Sequence, residues 1–151
     1  MIEGIPLPST DDPRDAPFWE ATRRGELVIQ RCASCGRLRF PPRPMCPGCQ
    51  SFDHAWQPMS GRGRIWSFVV PHPPLLPSFA GLAPYNVIVV ELAEDPAIRM
   101  VGNLVTSADG EINDIDPKTI EIGTPVRVVF HTAAPDVALP RWVVASTHGD
   151  Q

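Results

Sequence analysis

Apolar positions set two rhythms along the chain. In the first third they come in short bursts. Asp15 reads as an N-cap, Pro17 falls in the first turn, and Arg23 and Arg24 stand in the last turn before Gly25. That order predicts a short helix over Phe18–Arg24, because cations suit a helix C-terminus and glycine ends it. Phe18 and Trp19 are its apolar content. They either pack the helix down or line a ligand groove. Residues 26–31 predict a strand that delivers Cys32, and Leu38–Phe40 a returning strand. Pro41-Pro42-Arg43-Pro44 cannot pair well in a sheet and predicts an extended connection.

From Ser51 onward β-branched residues recur at strand spacing. Residues 61–70, 85–92, 98–105, 125–130 and 141–144 predict five strands. Gly61-Arg62-Gly63 eases entry into the first, and Ala93–Ala97 makes a tight turn after the second. Asp116-Pro117, closed by Gly123, predicts a short helix or turn before the fourth strand. Five strands with one small helical insert predict a mainly β chain ending in a five-stranded Greek-key barrel of the OB type. A β-sandwich is the alternative. The loop from Pro71 to Pro84 carries Leu75, Leu76, Phe79 and Leu82 among its prolines. These are too many apolar side chains for a free solvated loop. It folds over its own barrel, or it meets a partner or an acyl chain.

The chemistry-bearing pattern is Cys32-x-x-Cys35-Gly36 followed by Cys46-Pro47-Gly48-Cys49. Two such pairs point to a four-thiolate metal site. Gly36 and Gly48 are expected to supply the positive φ that tight knuckles need, and Pro47 to fix φ in the second. Four thiolates around Zn²⁺ form a closed tetrahedral shell, the mark of a structural metal. Strand, knuckle, strand, knuckle makes a zinc ribbon, whose metal supplies folding energy that so few residues cannot bury. Rubredoxin-like iron is a rival that spacing does not separate from zinc. Two disulfides or four free thiols are the other readings. The chain opens Met1-Ile2-Glu3 with no secretory pattern, which argues against disulfides and for the cytoplasm.

Composition sharpens this picture. Nineteen prolines in 151 residues argue against a helical bundle. No apolar run is long enough for a membrane span. Residues 14–64 hold nine basic and four acidic side chains, and residues 65–151 hold four basic and ten acidic. The metal half is basic and the barrel half acidic, so nucleic acid is not the expected partner. The expected divisions are an arm at 1–14, a helix and ribbon at 15–58, a barrel at 59–146 and a tail at 147–151. His54, His72, His131 and His148 stand in no nucleophile or metalloprotease context, and Lys118 sits in a polar turn. No catalytic residue is assigned.

Taken together, Cys32-x-x-Cys35-Gly36, Pro41-Pro42, Cys46-Pro47-x-Cys49, Gly61-Arg62-Gly63-x-Ile65-x-Ser67-Phe68, Pro84-Tyr85 and Ile122-Gly123-x-Pro125-Val126 resemble a known family. It is the prokaryotic zinc-ribbon/OB-fold family that accompanies thiolase-like enzymes, and the likeness runs from Pro17 to Trp142. The resemblance implies a leading helix, a rubredoxin-like ribbon with structural zinc, an OB barrel and no redox cofactor. It implies a non-catalytic accessory subunit, hetero-oligomeric with a thiolase or retro-aldolase that handles acyl-CoA thioesters, steroid side chains included. In that last setting the family also occurs fused to a hot-dog hydratase, for which this chain has no room. It is then a separate subunit or an excised piece. Arg23, Arg24, Arg37, Arg39 and Arg43 are the candidates to face CoA phosphates. The loop with Leu75, Leu76, Phe79 and Leu82 is the candidate cover for the acyl chain or dock for the partner. The rivals are a single-stranded nucleic-acid binder and a rubredoxin-like electron carrier.

Overall fold

The structure is a computed structural model that describes residues 4–146. The first three positions of the expected arm, and the whole expected tail with His148, lie outside the described residues. The elements run α1 (Ala16–Arg23), β1 (Val28–Cys32), β2 (Leu38–Arg39), β3 (His54–Pro58), β4 (Arg62–Val69), α2 (Pro77–Ala80), β5 (Val87–Leu92), β6 (Arg99–Gly102), β7 (Pro125–Ala134) and β8 (Val137–Val144). A single 3-10 turn, Pro117–Thr119, stands where a short helix or turn was expected, with the Asp116 carboxylate accepting from the Lys118 N–H.

Two antiparallel sheets divide the strands. The ribbon sheet has the order β2-β1-β3, and the barrel sheet β6-β5-β4-β7-β8. The barrel sheet curls until its edges meet. Leu104 forms a parallel bridge to Trp142, with Val105 N–H donating to the Trp142 carbonyl and Trp142 N–H to the Asn103 carbonyl. This closure gives the OB arrangement and sets the sandwich alternative aside. β3 was not anticipated, and it completes the ribbon by pairing along the whole of β1. The last two strands are also longer than expected, forming one hairpin from Pro125 to Val144.

One core joins both sheets. Phe18 of α1, Leu27 beside the ribbon and Ile29 within it pack with Ile65, Ile88, Val90, Met100, Val126 and Trp142 of the barrel. Burying each large aliphatic side chain contributes about 1.5–3 kcal/mol. The helix lies against β8, β1 and β7, which ties the metal half to the barrel. Trp142, fully buried, fits because Gly102 has no side chain: a Cβ there would stand 3.0 Å from its ring.

Asn86 holds the closure. Its amide Nδ2 donates to the Leu104 carbonyl and its Oδ1 accepts from the Leu104 N–H, while Asn103 Nδ2 donates to the Asn86 carbonyl. A side chain here stands in for a strand partner, so the buried backbone groups at the seam are satisfied.

Candidate metal centre

Each knuckle of the ribbon is a backbone turn that folds around its first cysteine. In the first, Cys32 N–H donates to the Arg37 carbonyl and Gly36 N–H to the Cys32 carbonyl. In the second, Cys46 N–H donates to the Ser51 carbonyl and Gln50 N–H to the Cys46 carbonyl. The residue after the last cysteine has positive φ in both: Gly36 at +76° and Gln50 at +63°. Gly48 was expected to carry that conformation and does not. Its lack of a side chain instead leaves room for the Arg37 guanidinium, 3.0 Å from where a Cβ would be. The hydroxyl of Ser34 meets that of Ser51 at 2.9 Å, linking the knuckles.

The four sulfurs converge. All lie within 4.8 Å of one another. Cys32 and Cys49 sulfurs are 3.5 Å apart, and those of Cys35 and Cys46 are 3.6 Å apart. Sulfurs held about 2.3 Å from a tetrahedral ion stand about 3.8 Å apart, so this donor set fits zinc or a similar ion. Cys32 and Cys46 are buried, and Cys35 and Cys49 face outward.

The peptide dipoles prepare the sulfurs unequally. The Cys35 N–H, with help from that of Ser34, brings the Cys32 thiol down to about 6. Cys46 is lowered in the same way by the N–H groups of Cys49 and Gly48. The Ser51 N–H pulls Cys49 down, but its neighbouring sulfurs, Cys32 foremost, together with burial, outweigh that pull and leave it raised to about 11. Four thiolates this close do not all carry charge unless a cation sits among them.

The other expected residues are dispersed. Arg23, Arg24, Arg37 and Arg43 are exposed, with Arg24 near Glu26. Arg39 departs from its expected place. It is 4% exposed, its Nε donates to Gln30 Oε1 and its Nη2 to the Arg43 carbonyl. It braces β2 against β1 and presents no charge at the surface. Of the loop residues, Leu75, Phe79 and Leu82 are half-buried and Phe79 packs near Tyr85, whereas Leu76 is 56% exposed. Three of the loop's four large apolar side chains are thus partly covered, while its His72-Pro73-Pro74 stretch is exposed. Phe18 is in the core, and Trp19 packs edge-on to it at 5.0 Å. With Phe40, Pro41 and Pro42 they also line a hollow of about 150 Å3.

His72 and Lys118 stand at one cleft of about 420 Å3, walled by Phe68, Val70, Pro84 and Ile120. His131 meets Asp109 at 3.1 Å. No helix among the described residues is long and apolar enough to cross a membrane.

Residues 19–55 match the family profile "ChsH2, rubredoxin-like zinc ribbon domain", and residues 56–131 match "ChsH2, C-terminal OB-fold domain". The chain is 44% identical over 128 residues to a "Probable enoyl-CoA hydratase alpha subunit" of Thermomonospora curvata, covering 84% of this chain and 36% of that protein. It thus spans about a third of that relative's length. It is 39% identical over 109 residues to a "DUF35 domain-containing scaffold protein" of Methanothermobacter thermautotrophicus, covering 72% of this chain and 74% of that one. Among solved structures, a chain of the "Ltp2-ChsH2(DUF35) aldolase" superposes with a TM-score of 0.77 at 40% identity, over 92% of this chain and 100% of that chain. The two profiles meet end to end across the ribbon and the barrel, and the chain belongs to the ChsH2/DUF35 family of zinc-ribbon and OB-fold proteins.

Proposed function

We propose that this chain is a non-catalytic accessory component of a thiolase-superfamily enzyme, a thiolase or retro-aldolase acting on acyl-CoA thioesters. One observation carries the reading: the likeness to the ChsH2(DUF35) aldolase chain extends over all of that chain. The hydratase alpha subunit it resembles is a far longer protein, so the activity in that name is not carried over to this chain. A hot-dog hydratase is a further candidate partner. The ribbon and barrel divide at 58/59 in this reading, supported by the pairing of β3 with β1.

Within the complex, Cys32, Cys35, Cys46 and Cys49 hold a structural Zn²⁺. A closed shell of four protein ligands leaves no position for substrate, so the metal stabilises the fold and does no chemistry on the thioester. The reduced thiols such a site requires fit a cytoplasmic protein. Arg23, Arg24, Arg37 and Arg43 are available to CoA phosphates, and Arg39, turned inward, braces the ribbon through Gln30 and the Arg43 carbonyl. Leu76 is the member of the proline-rich loop free to touch a partner or an acyl chain. The chain stabilises its partner and helps bind the CoA end of the substrate.

Co-expression with a thiolase-like aldolase of the Ltp2 kind tests the reading. The expected result is one co-purifying complex of defined stoichiometry with about one zinc per copy of this chain. Separate elution of the two proteins at micromolar concentration contradicts it.

A further inference from the structure

The strand register gathers onto one surface a set of side chains that lie far apart in sequence. Residues directly opposite in an antiparallel pair share a face. Ile65, Ile88, Val90 and Met100 point into the core. Arg64, Glu91 and Arg99, paired across β4, β5 and β6, therefore form one outward row. Ser67, Val89 and Val101 form the next, and Val69 with Val87 a third. A β-bulge between Ile65 and Ser67 adds Trp66 to the same face. Trp66 is 44% exposed, Val69 59% and Val101 66%, and the Arg99 guanidinium lies 3.7 Å above the Trp66 ring.

The rim is cationic. Arg62 faces Arg127 across β4 and β7, and both are exposed, as are Arg64 and Arg99. Glu91 is the one carboxylate in these rows. Among the described residues no salt bridge reaches any of these four arginines. Like charges set opposite one another destabilise an isolated sheet. A hollow of about 190 Å3 beside them is lined by Arg62, Arg64, Glu91, Pro96 and Pro125.

We propose that the outer face of β4, β5 and β6, centred on Trp66 and Arg99, docks a protein whose own patch is apolar in the middle and carboxylate-bearing at its edge. Tryptophan and arginine at the centre of a patch are the side chains that carry most binding energy between proteins. The surrounding valines supply dry contact area, and the arginine rim selects an acidic counterpart and speeds encounter. A second copy of this chain does not fit, because a two-fold contact would set the arginines against themselves. Single-stranded nucleic acid fits poorly: it needs successive stacking platforms. Here one aromatic ring stands among valines, with a guanidinium already on its face. The inference rests on the proposed function only for the identity of the partner.

Affinity for an Ltp2-type aldolase, measured by calorimetry with the full chain, tests the proposal. Trp66→Ala is expected to weaken binding at least tenfold, and the double change Arg64→Glu with Arg99→Glu at least a hundredfold. Zinc content and melting temperature report that the variants are folded. Wild-type affinity is also expected to fall as salt rises from 50 to 300 mM, a measurement that needs no variant. Unchanged affinity in both variants, or no response to salt, overturns the proposal while leaving the accessory role intact. So does a thymidine oligonucleotide whose binding is lost in the variants while aldolase binding is kept. If the wild-type chain does not bind the aldolase at all, the accessory role fails and this surface assignment falls with it.

Discussion

Gln50 shows how one residue departs from what its neighbours suggest. Its φ of +63° is the conformation that Gly36 adopts at the equivalent place in the other knuckle. A side chain there costs roughly 1 kcal/mol. Gln50→Gly is therefore expected to stabilise the protein by about 0.5–1 kcal/mol, read as a higher midpoint in urea, with no loss of metal. Asn86 makes the opposite case. Replacing it by Ala strips the buried Leu104 N–H and carbonyl of their partners. The expected loss is about 2–4 kcal/mol in the same experiment. Neither role was visible in the sequence. The knuckle glycine in Cys46-Pro47-Gly48-Cys49 drew attention to the wrong position, and an asparagine between Tyr85 and Val87 carries no signal of a partner eighteen residues away. Arg39 was hidden for a similar reason: only the pairing of Gln30 with Arg39 reveals that its charge turns inward.

The ribbon is the element on which the metal acts. Its three strands are short, and under the proposed function a metal clip supplies much of their stability. Stripping the metal with a chelator is expected to raise amide exchange through β1, β2 and β3 by orders of magnitude. The long strands β4, β7 and β8 keep their protection. Proton uptake follows from the thiols. At pH 8 a Cys49 thiol raised to about 11 still holds its proton, whereas Cys32, lowered to about 6, has lost it. Reloading with zinc at pH 8 is expected to release protons, seen as a buffer-dependent heat in calorimetry. Acidification reverses the reaction, because protons compete with the metal for the four sulfurs. The cysteine spacing made this element legible. β3 is not legible in the sequence because His54–Pro58 sets its apolar residues Ala55 and Trp56 side by side, ends in proline and shows no apolar alternation, and it becomes a strand only by pairing with β1.

At the scale of the molecule, the barrel was legible from its five β-branched runs and its glycine punctuation. Gly63 shows how tightly the strands meet: a Cβ there would stand 2.5 Å from the Glu91 carbonyl oxygen and 2.6 Å from Val90. Gly63→Ala is expected to cost about 1–3 kcal/mol, measured as a lowered melting temperature. The charge pattern was legible only as a tally. Counting by halves called the barrel acidic, yet register and one bulge bring four arginines and a tryptophan to a single face. Linear sequence records charge but not the side of the sheet on which it lands. The central claim is that this chain assists chemistry performed elsewhere. The most direct measurement is thioester turnover by the purified aldolase, by the purified chain, and by their complex. The account predicts turnover by the complex and none by the chain alone. Turnover by the chain alone, abolished together with its zinc, contradicts it.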